Sequence, residues 1–130
     1  MRRLPLVLFS LYALTGVAFA VFTLLGRDAP PDDALALPLP EWAMWLAVFV
    51  NLAIAAGGFL RVGAVRAFAV ALHALVTLAA LLVFVLHETG VRPMHGDHPL
   101  PESIAKFAVH AALTWYWLRS RALRNHFAGR

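Results

Sequence analysis

Residues 4–25, LPLVLFSLYALTGVAFAVFTLL, decide the class of this protein. The run is interrupted only by Ser10, Tyr12, Thr15, Gly16 and Thr23. As a helix rising ~1.5 Å per residue it is long enough to cross ~30 Å of hydrocarbon. Met1, Arg2 and Arg3 give it a basic start, and Ala18-Phe19-Ala20 has the look of a signal-peptide cleavage site. Val21 to Leu25 continue the apolar run without a polar stop, so the segment reads as a retained membrane helix.

Composition agrees. Of 130 residues, 62% are hydrophobic and 14% charged, with a mean hydropathy of +0.75, more apolar surface than one small water-soluble domain could bury. The lipid bilayer is therefore the expected first partner. Cysteine is absent, which removes disulfides, thiolate metal sites and cysteine nucleophiles. The formal net charge of +4 does not form a patch interleaved with aromatics, so nucleic acid is not expected. The arginines flank apolar runs instead.

Working outward from the first span, Pro30-Pro31-Asp32-Asp33 lies in a loop over 26–40. Helix two is expected over 41–60, with Glu41 at its positive end and Trp42 and Trp45 in its first turn at the membrane interface. A basic turn leads to helix three over 65–87, a second loop covers 88–101, helix four runs over 102–118, and a basic tail occupies 119–130. The expected fold is an all-α integral membrane protein, one domain of four transmembrane helices in two in-out-in hairpins. With the N-terminus cytoplasmic, Arg2, Arg3, Arg61, Arg66, Arg119, Arg121, Arg124 and Arg130 lie inside. Arg27, Arg92, Lys106 and all seven acids lie at the outer side, which is the bias of the positive-inside rule. Both termini are thus expected in the cytoplasm, and the location is a multi-pass cell membrane, the bacterial inner membrane.

An internal echo accompanies this layout. Pro38-Leu39-Pro40-Glu41 recurs as Pro99-Leu100-Pro101-Glu102, and at the same offset Ala47-Val48 matches Ala108-Val109 and Ala13-Leu14 matches Ala74-Leu75. Two like hairpins would be related by an axis along the membrane normal. Alanine- and leucine-rich chains also match themselves by composition, so duplication and coincidence both stand.

Polar residues inside spans are costly to bury in lipid. Counted from the outer ends of the helices, Thr15, Asn51 and Thr77 fall ~15 Å deep, Thr114 ~17 Å, His110 ~11 Å and His73 ~21 Å. His73 and Thr77 share a helix face, as do Lys106, His110 and Thr114, and the two faces are placed to meet along an antiparallel pair. Interhelical hydrogen bonding is the ordinary use of such groups. Proton carriage or haem ligation is the alternative for His73 and His110, with the difference in depth opposing one iron shared within the chain.

The second loop supplies another candidate. His95, Asp97 and His98, flanked by His87, Glu88 and Glu102, offer nitrogen and carboxylate ligands suited to a divalent metal, while a hydrated acidic loop is the plain alternative. The Gly-rich phosphate loop, the Gly-x-Ser-x-Gly elbow and the His-Glu-x-x-His pair are all missing, which removes nucleotide hydrolysis, serine hydrolysis and zincin chemistry. Trp115 and Trp117 with Arg119, Arg121 and Arg124 are expected to anchor the inner interface to anionic lipid or to a partner, as Trp42 and Trp45 do outside.

The function expected from these features is that of a non-catalytic subunit of a membrane assembly, either a homo-oligomer or a complex with partner membrane subunits. A proton- or divalent-metal-linked transporter or sensor is the alternative, and a haem-binding redox subunit the third.

Overall fold

The structure, a computed structural model, describes residues 4–30, 32–33, 35–37, 39–88 and 100–129. These residues form five helices, α1 (Leu4–Gly26), α2 (Glu41–Phe59), α3 (Gly63–Glu88), α4 (Leu100–Arg119) and α5 (Arg121–Phe127), with no strand among them. Three are long and apolar enough to span a membrane: α1, α2 and the Gly63–Leu86 part of α3. The chain therefore has the make-up of a multi-pass membrane protein. α4, at 20 residues, has the length, but Glu102, Lys106, His110 and Arg119 dilute its apolar character and it does not join the other three.

The helices divide into two compact units, one of Met1–Val65 with Arg124–Arg130, the other of Arg66–Leu123. In the first unit α1 buries Pro5, Phe9, Tyr12, Gly16, Thr23 and Gly26, and α2 buries Met44, Val48, Ile54, Ala55, Gly57 and Gly58. The steps of three and four residues along α1 are those of helices packed side by side in a left-handed pair. Small residues let the backbones close up. A Cβ on Gly16 would come within 3.0 Å of the Leu52 side chain, and one on Gly58 would collide with the Phe9 ring. The remaining faces of both helices are lined by exposed leucine, valine and phenylalanine, as a lipid-facing surface requires.

Proline at position 40 precedes the first turn of α2, and its carbonyl accepts the Ala43 and Met44 amides at 2.8 and 3.2 Å. Glu41 accepts a bond from Trp45 Nε1 at 3.2 Å and lies 3.7 Å from Arg27 Nε, tying the start of α2 to the end of α1. The other end of α2 closes with a Schellman turn. Val62 N–H donates to Gly57 O at 2.8 Å and Arg61 N–H to Gly58 O at 3.2 Å, with Arg61 in the left-handed region at φ 58°. Glycine is the usual residue there, so arginine holds this position at a cost in backbone energy.

Sequence reading leaves 119–130 as a tail, but Arg121–Phe127 is helical. The signal was Ser120, whose Oγ accepts the Leu123 amide at 3.3 Å in the manner of a helix cap. The end of α5 belongs to the first unit. His126 Nε2–H donates to Gly58 O at 2.8 Å, and the Phe9 ring lies 5.2 Å from the His126 ring, 6.0 Å from Phe127 and 5.7 Å from Phe59. Phe9, fully buried, is the centre of an aromatic cluster that joins α1, α2 and α5.

In the second unit α3 and α4 run antiparallel. Arg66 at the start of α3 donates from Nε to Trp117 O at 3.1 Å and from Nη2 to Leu118 O at 2.9 Å. These are carbonyls that a helix C-terminus leaves without partners, and a guanidinium matches their partial negative charge. Trp117 is fully buried, while Trp115 is 64% exposed and carries the Arg119 guanidinium over its ring at 5.1 Å. Of the two tryptophans expected at the interface, Trp115 faces outward and Trp117 inward. Residues two apart on a helix point to nearly opposite sides, so only one of the pair can face outward.

Helix boundaries echo across the two units at the offset of 61 residues. Transferred by that offset, α1 and α2 would cover 65–87 and 102–120, against the observed Gly63–Glu88 and Leu100–Arg119. Buried Tyr12 on α1 corresponds to buried His73, whereas buried Phe9 corresponds to half-buried Val70. α4 departs from the echo, since buried Trp117 corresponds to exposed Ala56.

Candidate functional site: a histidine pair between α3 and α4

Where α3 passes α4, His73 and His110 face each other. Their Nδ1 atoms are 2.9 Å apart, and the rings lie 5.2 Å apart at an angle of 37°. His73 is 4% exposed, and His110 is half-buried. At this distance one Nδ1–H donates to the other Nδ1, so the two rings occupy different tautomers or protonation states.

The counted depths put these residues ~10 Å apart, and the register of the pair explains the difference. Arg66 lies opposite Leu118 and His73 opposite His110, one residue back on α4 for each residue forward on α3. Continued along the pair, that register brings Leu100 level with about residue 84, so α3 overhangs α4 at this end by roughly one helical turn. Depths counted from helix ends assumed ends that were level.

The other polar residues singled out on the helices do not bond to the histidine side chains. Thr77 Oγ1 donates to His73 O at 2.7 Å, Thr114 Oγ1 to His110 O at 2.8 Å and Asn51 Nδ2 to Ala47 O at 2.8 Å. Each bond returns to a carbonyl four residues back on the same helix, the local solution open to short polar side chains in lipid. Thr15 is exposed. Thr23, which sequence reading passed over, is buried and bonds Phe19 O at 2.7 Å in the same way. Among these groups only the histidines bond across helices.

The chemistry of the pair favours a proton over a metal ion. Two imidazoles on one tetrahedral zinc sit roughly 3.4 Å apart at ~2.1 Å per bond, and two on opposite sides of a haem iron stand further apart still. A spacing of 2.9 Å is that of a hydrogen bond. Among the described residues no three histidine, aspartate or glutamate side chains converge on a point. The loop ligands His95, Asp97 and His98 lie outside the described residues, as do the side chains of His87, Glu88 and Glu102.

Of the interface residues, Trp42 is 70% exposed and Trp45 is half-buried against Glu41. Arg119, Arg121 and Arg124 are exposed. Two residues that carry structure were not singled out as sites. Arg66 was read only as a topology charge, and His126 was not weighed. The first has no local signal for its capping role, since its acceptors lie 51 and 52 residues away. No family model matches the chain, and no curated protein or solved structure matches it either.

Proposed function

We propose that this protein is a non-catalytic subunit of a membrane assembly, either a homo-oligomer or a complex with partner membrane subunits, in a bacterial inner membrane. In this reading α4 is the fourth span, both termini are cytoplasmic, and the two units are two in-out-in hairpins. The observation that carries the proposal is the N-terminal half of α4. Residues 104–109 are all exposed, with Ile104 and Phe107 lining a cleft against Ala80, Leu81 and Phe84 of α3 and much of the remaining surface of that stretch uncovered by the described residues. It is also part of the helix that is not apolar enough to stand as a membrane span by itself. A helix of that composition, with so much of its surface uncovered in lipid, is best explained by a neighbouring transmembrane helix that supplies the missing contacts.

The absence of cysteine makes the test direct. Single cysteines at Ile104, Ala105 and Val109, oxidised or bridged in native membranes, are expected to give a cross-linked product, whereas one at Leu24 on the lipid-facing side of α1 gives none. A product of twice the chain mass indicates a homo-oligomer, and one of any other mass a partner subunit. Monomer at all three α4 positions, with reagent access shown by labelling, would overturn the proposal.

A further inference from the structure

We propose that His73 and His110 form a proton-binding latch between α3 and α4, which holds through the first proton bound and opens on the second. In the neutral pair one ring carries its proton on Nδ1 and donates it to the bare Nδ1 of its partner, which carries its own proton on Nε2. A first proton from water goes to the bare Nε2 of the donor ring. That ring becomes an imidazolium, and its Nδ1–H still donates to the partner, now as a charge-assisted bond. A second proton has only the accepting Nδ1 to bind. It removes the acceptor and leaves two cations facing each other at what had been 2.9 Å. The latch then opens.

The surroundings make the two steps unequal. On α3 the nearest charged group is Arg66, two turns away and engaged with Trp117 O and Leu118 O. On α4, Lys106 lies one turn from His110 on the same face, and Tyr116 adds a buried hydroxyl with no hydrogen-bond partner. The Thr77 and Thr114 hydroxyls are turned to the carbonyls of His73 and His110. No carboxylate occurs between residues 66 and 86 on α3 or between 103 and 119 on α4, while α1 contributes no ionisable group but Tyr12 and α2 none but Glu41. A doubly charged pair therefore has no anion within two turns on its own helices, the nearest being Glu102 on α4 and Glu88 at the end of α3, and Lys106 adds repulsion. His110, the more exposed partner, is the entry point for the proton.

Opening has a defined mechanical result. α3 and α4 are joined by the Arg66 clamp at one end and by the histidine pair further along. Loss of the second leaves α4 tethered at the first, and its N-terminal half swings from the clamp. That half is the exposed segment 104–109, so the latch would control the face through which α4 meets its neighbours.

The test is made on the full chain in nanodiscs. In protein carrying ¹⁵N-labelled histidine, a scalar coupling between the Nδ1 nuclei of His73 and His110 is expected near neutral pH and is lost on acidification. Its absence at neutral pH overturns the proposal. Spin labels at Ala79→Cys and Ala105→Cys, exposed and level with each other on the two helices, report the spacing. It is expected to widen between about pH 8 and about pH 4 in the native pair and to stay constant in the His73→Gln/His110→Gln protein. No widening in the native pair, or equal widening in both, overturns the latch. Should the double variant not fold, His110→Gln alone serves as the control, since its amide can still bond His73 but cannot titrate.

Discussion

Arg66 and Leu118 are joined by a hydrogen bond of 2.9 Å from Nη2 to the carbonyl, while Nε of the same guanidinium reaches Trp117 O at 3.1 Å. One planar cation thus closes the C-terminus of a helix that lies 51 residues further along the chain. Two donors at fixed spacing are needed, and a lysine ammonium cannot reproduce them. Arg66→Lys is expected to lose part of the stability of the second unit and Arg66→Met about 1–2 kcal/mol, read as a lowered unfolding midpoint in detergent. Equal midpoints for native protein and Arg66→Met would show that the clamp contributes nothing.

Gly58 and Gly63 make a matched pair of sites. A Cβ on Gly58 would enter the Phe9 ring, whereas one on Gly63 meets nothing within 4 Å. Gly58→Ala is expected to destabilise by about 1–3 kcal/mol, and Gly63→Ala to be neutral or slightly stabilising. Combining Gly58→Ala with Phe9→Leu should recover part of the loss, because the clash is with the ring. Failure of that rescue would place the cost elsewhere.

His126 fastens α5 to the first unit through Gly58 O and the Phe9 ring. His126→Ala removes both contacts and leaves Phe127 against Phe9. Limited trypsin digestion in mild detergent should then cut after Arg121 and Arg124 faster than in the native protein, with the helical spans intact. An unchanged cleavage rate would mean that α5 is held by other contacts.

Arg61 lies at a left-handed position that glycine occupies without penalty. Arg61→Gly is expected to raise stability by up to about 1 kcal/mol through relief of that strain. The same change removes one cation from the turn between α2 and α3. Arg66 and the C-terminal arginines remain, so orientation should survive. Cysteines at Asp32 and Ala128, probed with an impermeant thiol reagent in intact cells, are expected to label outside and stay unlabelled inside, with and without the substitution.

The helices were legible in the sequence because lipid leaves the backbone few choices: a polar group that cannot reach water bonds within its own helix, and long apolar runs end where Pro40 or Arg61 stops them. α1, α2 and α3 therefore lie within two residues of their expected bounds. That the faces of His73 and His110 meet was legible from their helical spacing, whereas the register was not. The meeting of His73 with His110 depends on how far α3 overhangs α4, a quantity set by packing and by the intervening loop and not by any local pattern. Which of Trp115 and Trp117 faces outward was not legible either, because an aromatic-rich turn reads as an interface whichever way each ring faces. α5 was overlooked because seven residues rich in arginine resemble a tail until Ser120 is recognised as a cap.

The aromatic cluster at Phe9 has a consequence for how the molecule is made. Phe9 is synthesised with α1, yet His126 and Phe127 follow only after α2, α3 and α4. Until then the ring has Gly58 and Phe59 against it but neither His126 nor Phe127. Completion of that end of the hairpin is thus a birth-order event that waits on α5, and a chain cut before Arg121 would leave the seam at Phe9 unfinished.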